Sequence, residues 1–495
     1  MFHTSIGRVL RVLAVSALAI PAVGLVLFGP RAVSSVPADR TVVVYWEKWT
    51  DFEGRAMRDL VAHYNETEGR RASIYVDYVT TTGIDLKTLI ATSGGDPPDL
   101  AGLWQRNVVS FAASDASEAL DDRAARSGIT RDMLIPIFDH ACRYHGRLYA
   151  VPVTPATIAL YYNRDILAEF AEPLRNAGLD PEAAPRTLAE LDAFADIVHR
   201  RDRDGKLEMM AYLPASPDTI GWFWNSWPIW FGGRLFDPAE GRFRVDTPPF
   251  LDAYAWVQAY TARFGRKDVL NFEGSLSNYS SPRNPFMTGE LAMMRQGPWF
   301  ANTIRQFAPD IRYGVAPFPT VDGRERAFCE QDVLVIPRGA RHADEAWAFI
   351  EWLYTAEPVR VQSRYGGAGL GYDHCEIRTA TGVERHPMPP LRPIEWICWM
   401  HCKNTPLREP SPAFLETHPN PAIEVHDRLA RGPEAQIVPP LPNWTELNAE
   451  FGAAYRDIWM TDVPARKRLE ALQVRLDVLT QQAKRRQARY GQEYP

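Results

Sequence analysis

Positive charge is in short supply in this 495-residue chain: 55 Lys and Arg stand against 61 Asp and Glu, a formal net charge of -6. Without a cationic surplus there is no field to hold many phosphates, which excludes a nucleic-acid protein gripping its partner by backbone charge. Cysteine is scarce and odd in number, with Cys142, Cys329, Cys375, Cys398 and Cys402. In an oxidising compartment at least one of these stays free, and a single local disulfide is expected. His374, Cys375, Cys398, His401 and Cys402 lack the paired CxxC spacing of a structural zinc site, so no metal is assigned. Also missing are GxSxG, HExxH and the P-loop, and no carboxylate pair can be singled out as a glycosidase pair. No catalytic residue, no cofactor and no enzymatic activity are therefore expected.

What is present begins with a long apolar run. Arg8 and Arg11 precede residues 12–28, which carry no charge, the layout of a secretory signal or signal anchor. Seventeen residues at the helical rise reach about 26 Å, a little short of the roughly 30 Å hydrocarbon core. The sites after Phe28 make a poor small-residue cleavage signal, which favours an uncleaved anchor, and no Cys follows for lipid attachment. Export to a periplasmic or extracytoplasmic location is the inference. Aromatics are 11% of the chain, with 15 Trp, more than a core needs, so some indoles are expected to face a cavity.

The length exceeds one ordinary core and predicts two lobes. Thr41-Val42-Val43-Val44-Tyr45-Trp46 reads as a buried parallel strand, residues 53–67 as a helix, 72–79 as a second strand and 86–92 as a short helix, an α/β lobe. Gly146 to Pro155 carries a turn, a strand and a proline pair, the first candidate crossover. A new unit follows with a strand at 158–163 and a helix at 187–198, whose Thr187 and Glu190 form a capping-box pattern. Asp202 to Lys206 looks like the start of a calcium loop without its later ligands, hence a surface turn. Residues 250–264 and 343–354 read as helices. Asp332 to Pro337 reads as a strand after a second crossover. The stretch 366–442 reads as an irregular insertion, and 466–489 as a polar helix docked through Leu469, Leu472, Leu476 and Leu479.

Two aromatic constellations suggest a ligand. Phe286 to Trp299 ends in Gly297-Pro298-Trp299, an apolar run delivering an indole on a stiff turn. Trp222, Trp224, Trp227 and Trp230 crowd one segment, and Trp230, just before Gly232-Gly233, is the preferred cavity residue because glycines let a ligand or another backbone approach. Tyr161 and Tyr162 point to opposite faces of one strand, so one is core and the other cleft-facing.

In order and spacing, Gly146 to Val153, Leu160 to Asp165, Thr187 to Leu191, Phe286 to Trp299, Tyr313 to Pro319 and Val335-Ile336-Pro337 resemble the extracellular solute-binding protein family 1, the maltose-binding-like receptors of ABC sugar importers. The match spans roughly residues 41 to 460. The resemblance implies an α/β, two-lobe periplasmic-binding-protein fold (type II-like), its lobes joined by multiple crossovers around a ligand cleft. Residues 1–40 would be signal and linker, 41–153 and 320–365 lobe 1, 154–319 and 366–462 lobe 2, and 463–495 a C-terminal helix. By position it implies a ligand site of Trp46, Trp49, Trp104, Gln105, Tyr162, Trp230, Gly232, Trp299, Asp332 and Trp444. One departure is Cys329-Glu330-Gln331-Asp332 where the family usually has glycines. That implies either that Glu330 or Asp332 meets a hydroxyl or cationic ligand, or that the cleft is narrower. The expected protein is a monomeric receptor that binds a sugar or polyol and delivers it to an ABC permease. A carbohydrate-active enzyme and a receptor for a cationic solute are the alternatives.

Overall fold

The β-branched strand Thr41–Glu47 lies inside a six-stranded sheet, flanked by Ile74–Thr80 and Leu100–Trp104, both parallel to it. Val43 and Tyr45 point into a core shared with Ala56, Met57, Leu60 and Tyr64 of the helix Asp51–Glu66, the helical spacing seen in the sequence. The computed structural model describes residues 36–214, 225–237, 240–277, 281–361, 374–379, 382–489, 491 and 494. The apolar run 12–28 and the indoles Trp222 and Trp224 lie outside them. Among the described residues no helix is long and apolar enough to cross a membrane.

The long strand Ala327–Val335 enters the same sheet antiparallel to Leu100–Trp104 and to Val151–Thr157, and parallel to the short Ala435–Ile437. Val151–Thr157 stays in this sheet past its prolines, and only at Ala159–Asn163 does the chain join a second sheet. There it is the centre strand between Met293–Gln296 and Tyr313–Ala316, antiparallel to both. The first crossover thus lies a few residues later than the expected boundary at 153, because the prolines fall where Val151–Thr157 still pairs with Ala327–Val335. The return runs from Tyr313–Ala316 to Ala327–Val335.

Each sheet carries its own core. The second gathers Leu160, Tyr161, Leu191, Phe194, Trp227, Trp230, Tyr254, Phe286 and Phe300. Half of the capping box forms as read: Thr187 accepts from the Glu190 amide at 3.1 Å, while the Glu190 carboxylate reaches one residue further back and accepts from the Arg186 amide at 2.6 Å. Asp202 accepts from the amides of Asp204 and Lys206, closing the turn between His199–Arg201 and Leu207–Met210.

The stretch 366–442 departs from its reading as an irregular part of the second lobe. It contains the strand pair His374–Thr379 and Gly382–Pro387 and the helices Pro393–Met400, Pro412–Glu416 and Ile423–Arg431. Pro393 and Pro412 each open a helix, where the missing N–H costs nothing, so prolines that read as breakers are starts. Leu391, Ile394, Trp396, Trp399, Leu407 and Phe414 pack in the first core, not the second. Cys142, Cys329, Cys398 and Cys402 are buried free thiols, so none of these four enters the expected local disulfide.

The last helix, Ala465–Arg489, docks on the second core through Leu469, Leu472 and Leu476. Its final turn reaches across to the first lobe, where Tyr144 Oη donates to Gln487 Oε1 at 3.0 Å.

Candidate ligand cleft

Three side chains leave the carboxyl end of Thr41–Glu47 in succession. Glu47 folds back over Gly102, whose missing Cβ would lie 1.8 Å from Glu47 Oε2; only glycine admits the carboxylate there. Tyr45 Oη donates to that carboxylate at 2.6 Å and the Lys48 amide at 2.7 Å. Burial raises the Glu47 pKa despite Lys48 and Tyr45. Trp49 is next, closed at its edge by the His401 ring at 4.7 Å.

Asp332, from the middle of Ala327–Val335, lies between two ammonium groups, Lys48 Nζ at 3.1 Å and Lys403 Nζ at 2.9 Å, and accepts from Thr154 Oγ1 at 2.7 Å. Burial alone would raise its pKa, but Lys403 and Lys48 outweigh burial and hold it well below the usual carboxylate range. Lys403 also meets Glu53 Oε1 at 3.2 Å, and Asp332 and Glu53 together overcome burial to raise its pKa. Charges this deeply placed persist only when paired this thoroughly.

The indoles stand around these cations. Lys48 Nζ lies 5.1 Å from the Trp49 ring centre and 5.2 Å from that of Trp104, and Lys403 Nζ lies 5.8 Å from Trp49 and 5.7 Å from Trp299. Trp49 and Trp104 belong to the first lobe, whereas Trp299 packs at the edge of the second core. The turn that carries Trp299 needs its glycine, because a Cβ on Gly297 would fall 2.1 Å from Trp299 Cζ3. The ring folds back over its own turn. Two amides tie this turn to the 400–420 segment: Asn302 Nδ2 donates to the Met400 carbonyl at 3.1 Å and Asn420 Nδ2 to the Pro298 carbonyl at 3.2 Å.

Trp104, Trp299 and Asp332 are therefore brought together between the lobes, whereas Trp49, though beside both lysines, is buried in the first core. Trp46 projects to the opposite face of its strand from Tyr45 and Glu47 and borders the first core. Gln105 is buried beside Trp104 with its Oε1 lacking a protein partner.

Other expected residues are placed elsewhere. Trp230 is wholly buried against Phe318 at 4.6 Å and Trp227 at 5.8 Å, and Trp444 is buried beside Phe243. Both are core, since a ring with no exposed face has none to offer a ligand. Gly232 is exposed at φ 82°, a turn position, and the close approach is at Gly233, whose Cβ would meet Pro249 Cβ at 2.8 Å. Those glycines admit the protein's own chain. Tyr162 lies flat over Gly314 of the adjacent strand, under the Arg164 guanidinium. Its neighbour Tyr161 faces the other way, donating to the Gly297 carbonyl at 3.1 Å. The alternation is as expected, but both rings are buried, so neither is the cleft-facing one.

Lys48, Glu53, Lys403, His401 and Arg106 went unmarked as ligand-site residues in the sequence. Lys48 had a signal, being adjacent to Trp49, whereas Lys403 comes from the stretch that read as irregular. Apart from the cleft, a groove of about 530 Å³ runs beside Ala435–Ile437, lined in part by Glu325, Asp427, Arg428 and Arg431. There Arg428 pairs with Glu325 and Arg431 with Asp427. Self-paired charges and no indole make it the weaker site of the two.

Comparison with known proteins agrees with this architecture. The maltotriose-binding protein of Pyrococcus abyssi is 25% identical over 289 residues, 54% of this chain and 53% of the relative. The sn-glycerol-3-phosphate-binding periplasmic protein of Escherichia coli is 24% identical over 311 residues, covering 60% and 64%. The chain thus spans about half to two thirds of the length of these curated relatives. Among solved structures, CpMnBP1 with mannotriose bound aligns with TM-score 0.68 at 22% identity, covering 88% of this chain and 99% of that one. The GacH receptor of Streptomyces glaucescens aligns with TM-score 0.65 at 17% identity, covering 89% and 99%. These likenesses establish the two-lobe fold. The family model for bacterial extracellular solute-binding proteins matches residues 51–359, more than half of the chain, and the protein belongs to that family.

Proposed function

We propose that this protein is an extracytoplasmic receptor that holds a sugar or polyol between its lobes and passes it to an ABC permease. The observation that carries this reading is the convergence of Trp104 from one lobe and Trp299 from the other on the Lys48–Asp332–Lys403 centre, with Trp49 itself buried in the first core beside the two lysines. The half-buried Trp299 offers an indole face that suits the apolar face of a sugar ring, and contacts supplied by both lobes give a ligand differential affinity for the closed state. The names of the relatives point to the same ligand chemistry, maltotriose in one and glycerol phosphate in another.

A cationic ligand is disfavoured, because Asp332 already carries two ammonium partners. The same pairing leaves Asp332 with no proton to give or take near neutral pH, so a receptor fits better than a hydrolase. The apolar run 12–28 would tether the chain to the membrane, with the receptor acting as a monomer.

Titration of the purified protein with a carbohydrate panel, followed by calorimetry, tests the reading; silence across the panel would sink it, as would release of product from an oligosaccharide. Removing about 100 Å² of stacking face costs about 2.5 kcal/mol, so Trp299→Ala is expected to weaken binding roughly 50-fold or more. Because the ring is only half buried, the melting temperature should move little. Gly297→Ala is expected to weaken binding comparably by pushing the ring off its turn. Equal loss of stability and affinity in Trp299→Ala would make Trp299 a core residue instead.

A further inference from the structure

The charged groups of the cleft differ in how much hydrogen-bonding capacity they retain. Lys48 Nζ meets Glu47 Oε1 at 3.2 Å, Asp332 Oδ1 at 3.1 Å and the Leu103 carbonyl at 3.3 Å. Lys403 Nζ meets Asp332 Oδ2 at 2.9 Å, Glu53 Oε1 at 3.2 Å and Thr154 Oγ1 at 3.4 Å. An ammonium group has three N–H donors, so both lysines are spent within the protein.

Arg106 is different. It sits in the turn Gln105–Asn107, directly after the strand that ends in Trp104, and its guanidinium carbon lies 4.2 Å from the Trp104 ring centre. A cation–π contact of this kind holds the group in place without using its N–H donors. Among the described residues no carboxylate comes within ion-pair distance of it; Glu330, Asp85 and Asp332 act on it only from farther away. The side chain is half buried, at the carboxyl edge of the sheet where Trp104 and Asp332 are paired in register. It also occupies ring surface on Trp104 that a neutral sugar would otherwise stack on.

A planar cation held against the indole, with a fork of unclaimed donors, matches a carboxylate or phosphate two oxygens at a time. We infer that the ligand of this cleft is an acidic saccharide or polyol, whose carboxylate or phosphate is bound by Arg106 while its ring or carbon chain lies toward Trp299. The pairing of Asp332 by Lys48 and Lys403 serves the same end, because it removes the repulsion that an unpaired carboxylate would exert on an incoming anion. The inference rests on the receptor reading and specifies its ligand class.

The test is a matched set of ligands measured by calorimetry at low and high salt: a glucuronate-containing disaccharide and its neutral glucose counterpart, and glucose 6-phosphate and glucose. The expected result is that one acidic member binds at least 10-fold tighter than its neutral partner at low salt, with the margin shrinking as salt rises. Which pair shows the margin identifies carboxylate or phosphate as the recognised group. Arg106→Gln should reduce the margin to less than about 3-fold, and Arg106→Lys, which keeps the charge but loses the fork, should retain part of it. Both variants are to be checked for an unchanged melting temperature; if both unfold, the wild-type margin and its salt dependence decide. Neutral partners binding as tightly as acidic ones, or a margin unaffected by Arg106→Gln, would overturn the inference and leave the receptor reading standing. Absence of binding by every member, neutral and acidic, by folded protein would count against both.

Discussion

Taking the protein from pH 7 to pH 5 is expected to remove several kcal/mol of its stability, through histidines that the fold keeps neutral. His401, His418 and His426 are wholly or almost wholly buried, and burial pushes their pKa values down to about 4, about 3 and about 4. Their partners suit the neutral ring. His418 Nδ1 accepts from the Asn420 amide at 3.2 Å while Nε2 meets the Lys403 carbonyl at 3.3 Å, and His426 Nδ1 donates to the Thr157 carbonyl at 2.7 Å. A second proton on His418 would face an N–H. The unfolded chain binds these protons near the ordinary value of about 6.5 and the folded chain does not, so stability is fully present above that value and falls as pH falls towards 4. At ~1.4 kcal/mol per pH unit, each histidine accounts for about 2 kcal/mol between pH 6.5 and 5. Glu47 and Asp192 act oppositely, since burial raises their pKa values and the folded chain holds their protons longer, while His63, also lowered by burial, adds to the three histidines. Denaturant midpoints at pH 7, 6 and 5 measure the effect, and His418→Gln should flatten the slope by about a third. An unchanged midpoint across that range would mean the rings are not buried neutral.

Asp332→Ala should be the most damaging single change at the cleft. It leaves Lys48 and Lys403, each with little exposure, with Glu47 and Glu53 as their remaining counter-charges, and breaking a buried pair by removing one partner costs up to about 3–5 kcal/mol. Asp332→Asn keeps a partner for Thr154 but not the charge, and should recover only part of the loss. Adding Lys403→Met to Asp332→Ala should cost less than the sum of the single changes by more than about 1 kcal/mol, and strict additivity would show that the pair is not coupled. The pH dependence has a definite sign. The Asp332 pKa is depressed in the fold, so its contribution is present above the ordinary carboxylate pKa of about 3.9 and lost only below it. That window lies below that of the histidines, and the two effects separate on the acid limb.

How much of this was legible beforehand differed by element. The strand at 41–47, the helix after it, the cap at Thr187 and the Gly-Pro turn before Trp299 were readable because each is set by local chemistry: β-branched runs, apolar spacing, a side-chain cap and a fixed φ. The indoles were less legible. Trp230, Trp299 and Trp444 look alike as residues, yet Trp230 and Trp444 fill the second core and only Trp299 reaches the cleft. The prolines of 393 and 412 misled because a helix start and a helix break use the same residue.

From its residues alone the chain reads as an exported α/β protein of two lobes, with surplus indoles and no catalytic motif. Periodicity, an apolar leader and turn chemistry are local properties, so they survive without coordinates. Which indoles stand free, that 388–414 belongs to the first lobe, and that Lys48, Asp332 and Lys403 meet were decided by the tertiary structure. Lys48 and Lys403 are brought to one carboxylate only when the sheet, the helix Pro393–Met400 and the turn at Trp299 pack against one another. Burial then fixes the outcome, because at that depth each charge must find its partner or be neutralised, a carboxylate by taking up a proton and an ammonium by losing one.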